Sequence, residues 1–394
     1  MQKAELYFRS KYLSTCAIIL SIIVLFNCCD DDEIFNPVMD IENFISPLPR
    51  VAPVPENNPL TSEKAELGRL LFWDPVLSGN KDVACATCHH PGQGYADGLD
   101  ISIGIGGSGL GESRKGTVLA KRNAHTVLNS AFNGIDKDGI TYPLNSPMFW
   151  DNRAMSLEEQ ALLPILSKEE MLGNAIHESV IYDTIVGRLS AIPEYRQVFK
   201  RVFGTDAINI DRIANAIASF ERTLITSNSP FDRYLRGDRS AMTPQQIDGM
   251  NAFVNVGCAA CHSGPMFSDF KLHTLGIPDN PKLPDTDDGN GNYAFRTPSL
   301  RNLSLTAPYM HNGMHTSLME VMNFYEEISE GDDHVTNDHV NRNEIAPLAR
   351  RLDMEDDATN EIIAFINALN DPDFDRAIPV KVPSGLQVGG KISN

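Results

Sequence analysis

The sequence predicts a mainly α-helical protein built as two tandem domains of one kind, with long loops and few strands. Three observations carry that expectation. A chain of 394 residues exceeds what one core usually organises. The pattern Cys-x-x-Cys-His occurs twice, as Cys85-Ala86-Thr87-Cys88-His89 and Cys258-Ala259-Ala260-Cys261-His262, in otherwise unrelated surroundings. Each copy follows a stretch with helical spacing of apolar residues, whereas the period-two alternation of strands is sparse.

At the N-terminus Lys3, Arg9 and Lys11 precede an apolar run from Ala17 to Phe26 that ends at Asn27-Cys28-Cys29. The run is too short to span a bilayer as a mature helix and has the layout of a signal peptide. The cysteine after it resembles the lipidation site of a bacterial lipoprotein; Cys28 and Cys29 both fit, Cys28 is favoured, and 1–28 is then the signal segment. The acidic run Asp30, Asp31, Asp32, Glu33 resembles a surface-lipoprotein tether. The chain is therefore expected in the cell envelope, as an outer-membrane lipoprotein facing the periplasm or the cell surface and touching membrane only through this anchor. Export without a lipid is the alternative. Residues 29–60, with Pro37, Pro47, Pro49, Pro53, Pro55 and Pro59, read as an extended acidic tether, so folding is expected from Thr61.

The formal charge of -19 excludes nucleic acid as a partner and suits steering of a basic redox protein, although acidity that only aids solubility reads the same way. Of seven cysteines, Cys16, Cys28 and Cys29 lie in the export segment, and the other four all belong to the two motifs. Paired Cys-x-x-Cys elements also serve as zinc sites or disulfides. A histidine directly after each pair, in an exported chain, points instead to two covalently attached c-type haems. Two thiols capture the two vinyl groups of one porphyrin edge, and the next imidazole reaches the iron.

In the first half, Leu67, Leu70 and Leu71 mark a helix before the motif; in the second, Thr243-Pro244 starts one whose buried face is Ile247, Met250 and Phe253 or Val254. Ile210, Ile213, Ala214, Ile217 and Leu224 make a buried stripe that Ser229-Pro230 is expected to stop, with a domain boundary nearby. The offsets repeat. His125-Thr126-Val127-Leu128-Asn129 follows His89 at the distance at which Pro298-Ser299-Leu300-Arg301-Asn302 follows His262, and capping boxes start at Ser156 and Ser317, equally far after Trp150 and His311. An ancient duplication of a one-haem domain explains their common order. The expected division is 61–226, 227–375 and a tail at 376–394. A last helix with Ile362, Ile363, Phe365, Ile366 and Leu369 resembles the C-terminal packing helix of class I cytochromes c, which makes both halves class I-like haem domains.

These residues together resemble the bacterial di-haem cytochrome c peroxidase family, which includes the MauG-type enzymes. The resemblance rests on Leu67-Gly68-Arg69-Leu70-Leu71-Phe72-Trp73-Asp74-Pro75, Phe149-Trp150-Asp151-Asn152-Arg153, Phe220-Glu221-Arg222-Thr223-Leu224, Ser229-Pro230-Phe231-Asp232-Arg233-Tyr234, and Leu300-Arg301-Asn302 with Ala307-Pro308-Tyr309-Met310-His311-Asn312-Gly313. It implies that His89 is the proximal ligand of a peroxidatic haem attached at Cys85 and Cys88. His262 is then the ligand of an electron-transfer haem attached at Cys258 and Cys261, and Trp150 lies between the two. The family places a glutamine and a glutamate after that tryptophan as acid/base machinery, here Gln160 and Glu170, although the usual Asn-Pro before the glutamate is Ser167-Lys168.

Two departures matter. Where many family peroxidases carry a second histidine that caps the peroxidatic iron, this chain has Ile105, so the first haem is expected to be open without reductive activation; His90 is badly placed to substitute. Where peroxidases place a methionine on the second iron, this chain has Tyr325, as MauG does, with Met322 one turn away as the competing ligand. A thioether raises the haem potential and a phenolate lowers it. The resemblance also implies calcium between the haems, at Asn123, Thr306 and Pro308. His273 and Arg296 stand where haem propionates are expected, His125 replaces a usual proline and is given no role, and Asp285, Asp287 and Asp288 with the glycines after them have the look of a metal loop but read as a solvated turn.

The function implied is reduction of hydrogen peroxide to water with electrons from a small cytochrome c or copper protein. A MauG-like oxidase acting on a protein or organic substrate is the alternative enzyme, and a di-haem electron carrier the non-enzymatic one. Family enzymes are often homodimers.

Overall fold

Two helix crossings, one beside each Cys-x-x-Cys-His motif, organise the protein. A computed structural model describes residues 41–331, 337–354 and 358–393, all within one unit spanning Asp40–Asn394. The signal segment, Cys28, Cys29 and the acidic run lie outside the described residues. Among the described residues no helix is long and apolar enough to cross a membrane.

In chain order the helices are α1 (Ser62–Trp73), α2 (Cys85–Cys88), α3 (Leu157–Gln160), α4 (Leu163–Leu166), α5 (Ile181–Ala191), α6 (Pro193–Phe203), α7 (Ile210–Glu221), α8 (Pro230–Leu235), α9 (Pro244–Asn255), α10 (Leu318–Glu330) and α11 (Ala358–Asn367). Two short strands, β1 (Leu272–Thr274) and β2 (Ala294–Arg296), pair antiparallel with His273 opposite Phe295. The rest is loop, short 3-10 turns and one π turn, in line with the mainly helical class expected.

Helix α1 starts where Thr61 Oγ1 accepts from the Lys64 amide at 3.2 Å. Its Leu67, Leu71 and Phe72 join Ile213, Ile217 and Phe220 of α7 in one apolar cluster. Helix α9 starts with a reciprocal cap, Gln246 N to Thr243 Oγ1 and Thr243 N to Gln246 Oε1. Its Met250 and Phe253 join Ile362, Phe365 and Ile366 of α11 in a second cluster. Both crossings are tight because a glycine stands at the contact. A Cβ on Gly68 would lie 1.9 Å from the Ala216 carbonyl oxygen, and one on Gly249 would lie 1.8 Å from that of Glu361.

The repeat read from motif offsets is present in the backbone. Asn129 and Asn302 both adopt the left-handed conformation, at φ 62° and 63°, and each opens a 3-10 turn. Both side-chain amides donate to the hydroxyl of Thr226, at 2.5 and 2.7 Å. Ser156 and Ser317 cap α3 and α10, accepting from Glu159 N and Glu320 N. In each case the glutamate reaches back to the amide before the cap, that of Met155 or Thr316.

Three segments differ from expectation. The chain is folded from Ile41 rather than from Thr61: Ile45 and Leu48 are fully buried, and Leu48 N donates to Asp232 Oδ1 at 2.9 Å. Apolar residues between the prolines supply the burial that the proline count obscures. Helix α7 stops at Glu221, where Thr223 Oγ1 donates back to the Phe220 carbonyl, and Ser229 caps α8 instead of ending α7. Residues 376–393 return to the first half: Thr87 Oγ1 donates to Gly389 O at 2.8 Å, Ser384 Oγ to Asp74 Oδ1 at 2.7 Å, and Val382 is buried in the first apolar cluster.

Candidate functional site

Each motif opens onto its own cavity. Cys85, Cys88 and His89 line the first, and Cys258, Cys261 and His262 the second. None of the four cysteines is in a disulfide, and the two pairs face different cavities, so they do not form a joint zinc site. Burial pushes the Cys85 and Cys258 thiols up to about 12, which keeps both protonated. His89 Nδ1 meets the Tyr95 carbonyl at 3.2 Å and His262 Nδ1 meets that of Phe267 at 3.0 Å. Each ring is thereby held with its proton on Nδ1 and its Nε2 lone pair free, the tautomer a metal-binding histidine needs. Two free thiols and one oriented imidazole at each cavity fit a covalently attached haem.

The first cavity also holds Gln160 and Glu170 in its wall. Gln160 ends α3, and Glu170 sits in a single π turn over Lys168–Leu172. Burial raises the Glu170 carboxyl above its ordinary value, against the pull of Arg153. The loop that carries Ile105 buttresses this turn: Ile105 N donates to the Glu169 carbonyl at 3.1 Å, and a Cβ on Gly104 would lie 1.9 Å from that same oxygen. The Ile105 side chain packs in the apolar cluster near Gly173 and does not line the cavity. His90 turns Nδ1 to the Gly92 amide and its ring edge to Trp73, 5.6 Å between centroids.

In the second cavity α10 presents Leu318, Val321, Met322 and Tyr325 along one face. Met322 is also buried in the cluster formed by α9 and α11. Burial raises the Tyr325 phenol above its ordinary value. His273 lines this cavity, and Asp269 Oδ2 at 2.9 Å, with the Cys261 thiol behind it, raises its ring above the ordinary value and favours the imidazolium. His311 stacks on Phe295 at 3.6 Å and burial drops it to about 3, leaving it neutral.

Trp150, His125 and Arg296 line both cavities and form a shared wall. The indole Nε1 donates to the Asn123 carbonyl at 3.1 Å, and its carbonyl accepts from Arg296 N at 2.7 Å. His125 stacks on the indole at 4.0 Å between centroids, with an interplanar angle of 26°. Its Nε2 lies 3.5 Å from Arg296 Nη2, and burial, with the guanidinium, holds the ring well below its ordinary pKa and therefore neutral. His125 was given no role from sequence because position alone did not reveal this stack.

Beside the wall Asn123 Nδ2 donates to Leu99 O at 2.7 Å and approaches Pro308 O at 3.4 Å, and Thr306 lines the same cavity. Turning the amide over presents Asn123 Oδ1 to this point, so the group can supply oxygen donors. The acidic loop is exposed at Asp285 and Asp288, as a solvated turn would be, but not at Asp287. Asp287 is 4% exposed and pairs with Arg122 at 2.5 and 2.9 Å and with Lys121 at 3.1 Å. Arg122 also pairs with Asp151 at 2.7 Å. The run of aspartates suggested hydration, which holds for Asp285 and Asp288, whereas Asp287 faces Lys121 and Arg122 across the fold.

Glu221 also lines the first cavity, without a role assigned from its motif. A charged residue continuing the spacing of Ile213 and Ile217 was the signal available.

A family model described as di-haem cytochrome c peroxidase matches residues 62–240. The chain is 35% identical to the methylamine utilization protein MauG of Methylophilus methylotrophus, over 82% of this chain and 87% of that protein. It is 34% identical to cytochrome c551 peroxidase of Nitrosomonas europaea, over 85% and 88%. Among solved structures it resembles a MauG-like protein associated with microbial copper homeostasis, with TM-score 0.66, 27% identity, and 82% and 95% of the two chains covered. With two haem-competent cavities already evident from the residues, these likenesses show that the chain belongs to the di-haem cytochrome c peroxidase family.

Proposed function

We propose that this protein is a peroxidase that reduces hydrogen peroxide to water with electrons from a small cytochrome c or copper protein. The observation that carries the reading is the placement of Gln160 and Glu170 in the wall of the cavity that holds Cys85, Cys88 and His89. Haem bound there supplies the redox chemistry that divides the peroxide O–O bond. Gln160 orients the peroxide through its amide, and Glu170 takes a proton from one oxygen and delivers it to the other, which departs as water. Two electrons and two protons complete the conversion of one peroxide to two waters. Electrons enter at the His262 side and cross by way of Trp150, which touches both cavities. Ile105 offers no ligand, so the first site accepts peroxide without reductive activation.

Electron paramagnetic resonance of the oxidised holoprotein, before and after one equivalent of peroxide, tests this. One high-spin signal, consumed by peroxide, is expected. Two low-spin haems indifferent to peroxide would sink the reading and favour an electron carrier. A second reading, a MauG-like oxidase of a protein or organic substrate, is favoured by Tyr325 in the second cavity. Peroxide consumption that needs such a substrate and oxidises no small redox protein would select it.

In this proposal Tyr325, which lines the second cavity, would hold the second haem's iron through its phenol oxygen. Tyr325→Phe should change the low-spin haem spectrum alone, and an unchanged spectrum excludes the phenol as ligand. Calcium at Asn123, Thr306 and Pro308 ties the two cavities together. Chelator treatment of the holoprotein should slow reduction of the first haem by the donor, with recovery on adding calcium; an unaltered rate removes the ion from the proposal. The location is the cell envelope, through a lipid on Cys28, and metabolic labelling with palmitate is expected to mark the protein; an unlabelled, freely soluble periplasmic product would remove the anchor.

A further inference from the structure

Helix α7 places Ile213, Ile217 and Glu221 on one face, and the third of these is a carboxyl in a row of core positions. Glu221 is 4% exposed, and its Oε2 is fully buried without a hydrogen-bond partner. Ile217 and Glu221 both line the first cavity. A buried acid with an unsatisfied oxygen is costly, so its surroundings decide its charge.

Those surroundings hold no cation committed to it. Arg222, next in the chain, gives its two terminal guanidinium nitrogens, Nη1 and Nη2, to Glu158, at 2.7 and 2.9 Å, and its buried Nε makes no hydrogen bond to Glu221 or any other group. On α1, Lys64 Nζ donates to Asn58 Oδ1 at 2.8 Å and Pro59 O at 2.7 Å, while Arg69 pairs with Glu66 and Asp375. Of the α3 carboxylates, Glu158 repels a charge on Glu221, and Glu159 is occupied at the Met155 amide. From the motif, Cys85 faces it and becomes an uncharged thioether once haem is attached. Burial outweighs the attraction of Arg222 and pushes the carboxyl up to about 8.

We propose that Glu221 is the redox-linked proton site of the first haem: it takes one proton from solvent when that haem accepts one electron, and returns it when the haem is oxidised. The charge of the enclosure is then the same before and after. One electron arrives from the donor, one proton from water joins the carboxylate, and the reverse step releases both. In a poorly polarisable cavity an uncompensated added charge interacts strongly with a nearby carboxylate, so electron and proton move together. The inference rests on haem occupying the first cavity, but not on which substrate the enzyme serves. Glu170, the acid/base of the proposed peroxide step, shuttles a proton within the substrate and is a separate group.

The test is spectroelectrochemical titration of the holoprotein at a series of pH values, without peroxide, so that its outcome is independent of the peroxidase reading. In the wild type the reduction equilibrium of the first haem should shift tenfold per pH unit above about pH 8, about 59 mV for one electron, and level off below it, where the carboxyl is already protonated with the haem oxidised. Glu221→Gln should flatten that slope, while Glu170→Gln should keep it. Redox-difference infrared spectra of the wild type should show a protonated-carboxyl carbonyl band that grows on reduction of this haem, and the band should be missing from Glu221→Gln. A wild type with no slope and no band overturns the proposal without reference to any variant. A slope and band that persist in Glu221→Gln, or vanish in Glu170→Gln, overturn it as well. If Glu221→Gln does not retain haem, Glu221→Asp replaces it: a displaced slope is expected, and an unmoved one overturns the assignment.

Discussion

Replacing Glu170 with glutamine should lower peroxide turnover by about 10²–10⁴-fold while leaving both haem absorption spectra in place. The amide keeps the shape and the hydrogen-bonding reach of the carboxyl but cannot accept and return a proton. The π turn should survive, because it is held by backbone contacts: Leu172 N and Met171 N both donate to Ser167 O, and the Ile105 loop abuts Glu169. Glu169→Gln is the comparison: that neighbour is exposed at the cavity rim and helps burial raise the Glu170 carboxyl, so its loss should shift the pH profile toward acid and keep most of the turnover. A raised carboxyl pKa also sets the pH profile. The deprotonated form is the acceptor, so turnover should fall as pH drops through the raised value and recover above it. Turnover of Glu170→Gln within a factor of a few of wild type would remove Glu170 from the mechanism.

Much of this site was legible because covalent haem attachment leaves a contiguous signature. Cys85, Cys88 and His89 must stand at fixed spacing on one turn, and so must Cys258, Cys261 and His262. The helix faces were legible for a related reason: Leu67 and Leu71 of α1, and Ile362 and Ile366 of α11, recur at the helical period and are buried. What sequence did not disclose are groups whose meaning depends on what faces them. His125 becomes informative only when its ring is seen against Trp150, and Asp287 only when Arg122 is found across from it. Residues 41–60 and 376–393 read as tether and tail because neither shows a helical or strand period, yet Leu48 and Val382 are buried against distant parts of the chain. Periodicity is a local signal, and these contacts are long-range.

Asp232→Ala should destabilise the holoprotein by about 3–5 kcal/mol, a large share of the roughly 5–15 kcal/mol that holds a domain folded. Asp232 is fully buried and forms a two-pronged pair with Arg301, at 2.9 and 3.0 Å, the arginine being 1% exposed on its side chain. The same carboxylate accepts from Leu48 N at 2.9 Å and from Ser229 N and Oγ at 3.1 and 2.7 Å. It therefore fastens the segment before α1, the start of α8 and the Arg301 turn at one point. Removing it strands a guanidinium in the interior and leaves the Leu48 amide without an acceptor. The damage should reach the second haem first, because Arg301 lines that cavity and is otherwise held by the Pro265 carbonyl, at 2.6 Å, by the Phe267 ring, 5.6 Å from its guanidinium carbon, and through its own backbone turn. Burial alone would raise the Asp232 carboxyl, but Arg301 and the Ser229 and Leu48 donors outweigh it and hold it below its ordinary value. A depressed folded-state pKa contributes stability that is present above the unfolded value of about 3.9 and lost as pH falls through the folded one. Urea unfolding followed at the second haem's absorption should show the wild-type midpoint dropping in acid, and Asp232→Ala should lose that part of the drop. A midpoint for Asp232→Ala within about 1 kcal/mol of wild type at neutral pH would mean the pair is solvated or replaceable, and that Arg301 finds another acceptor.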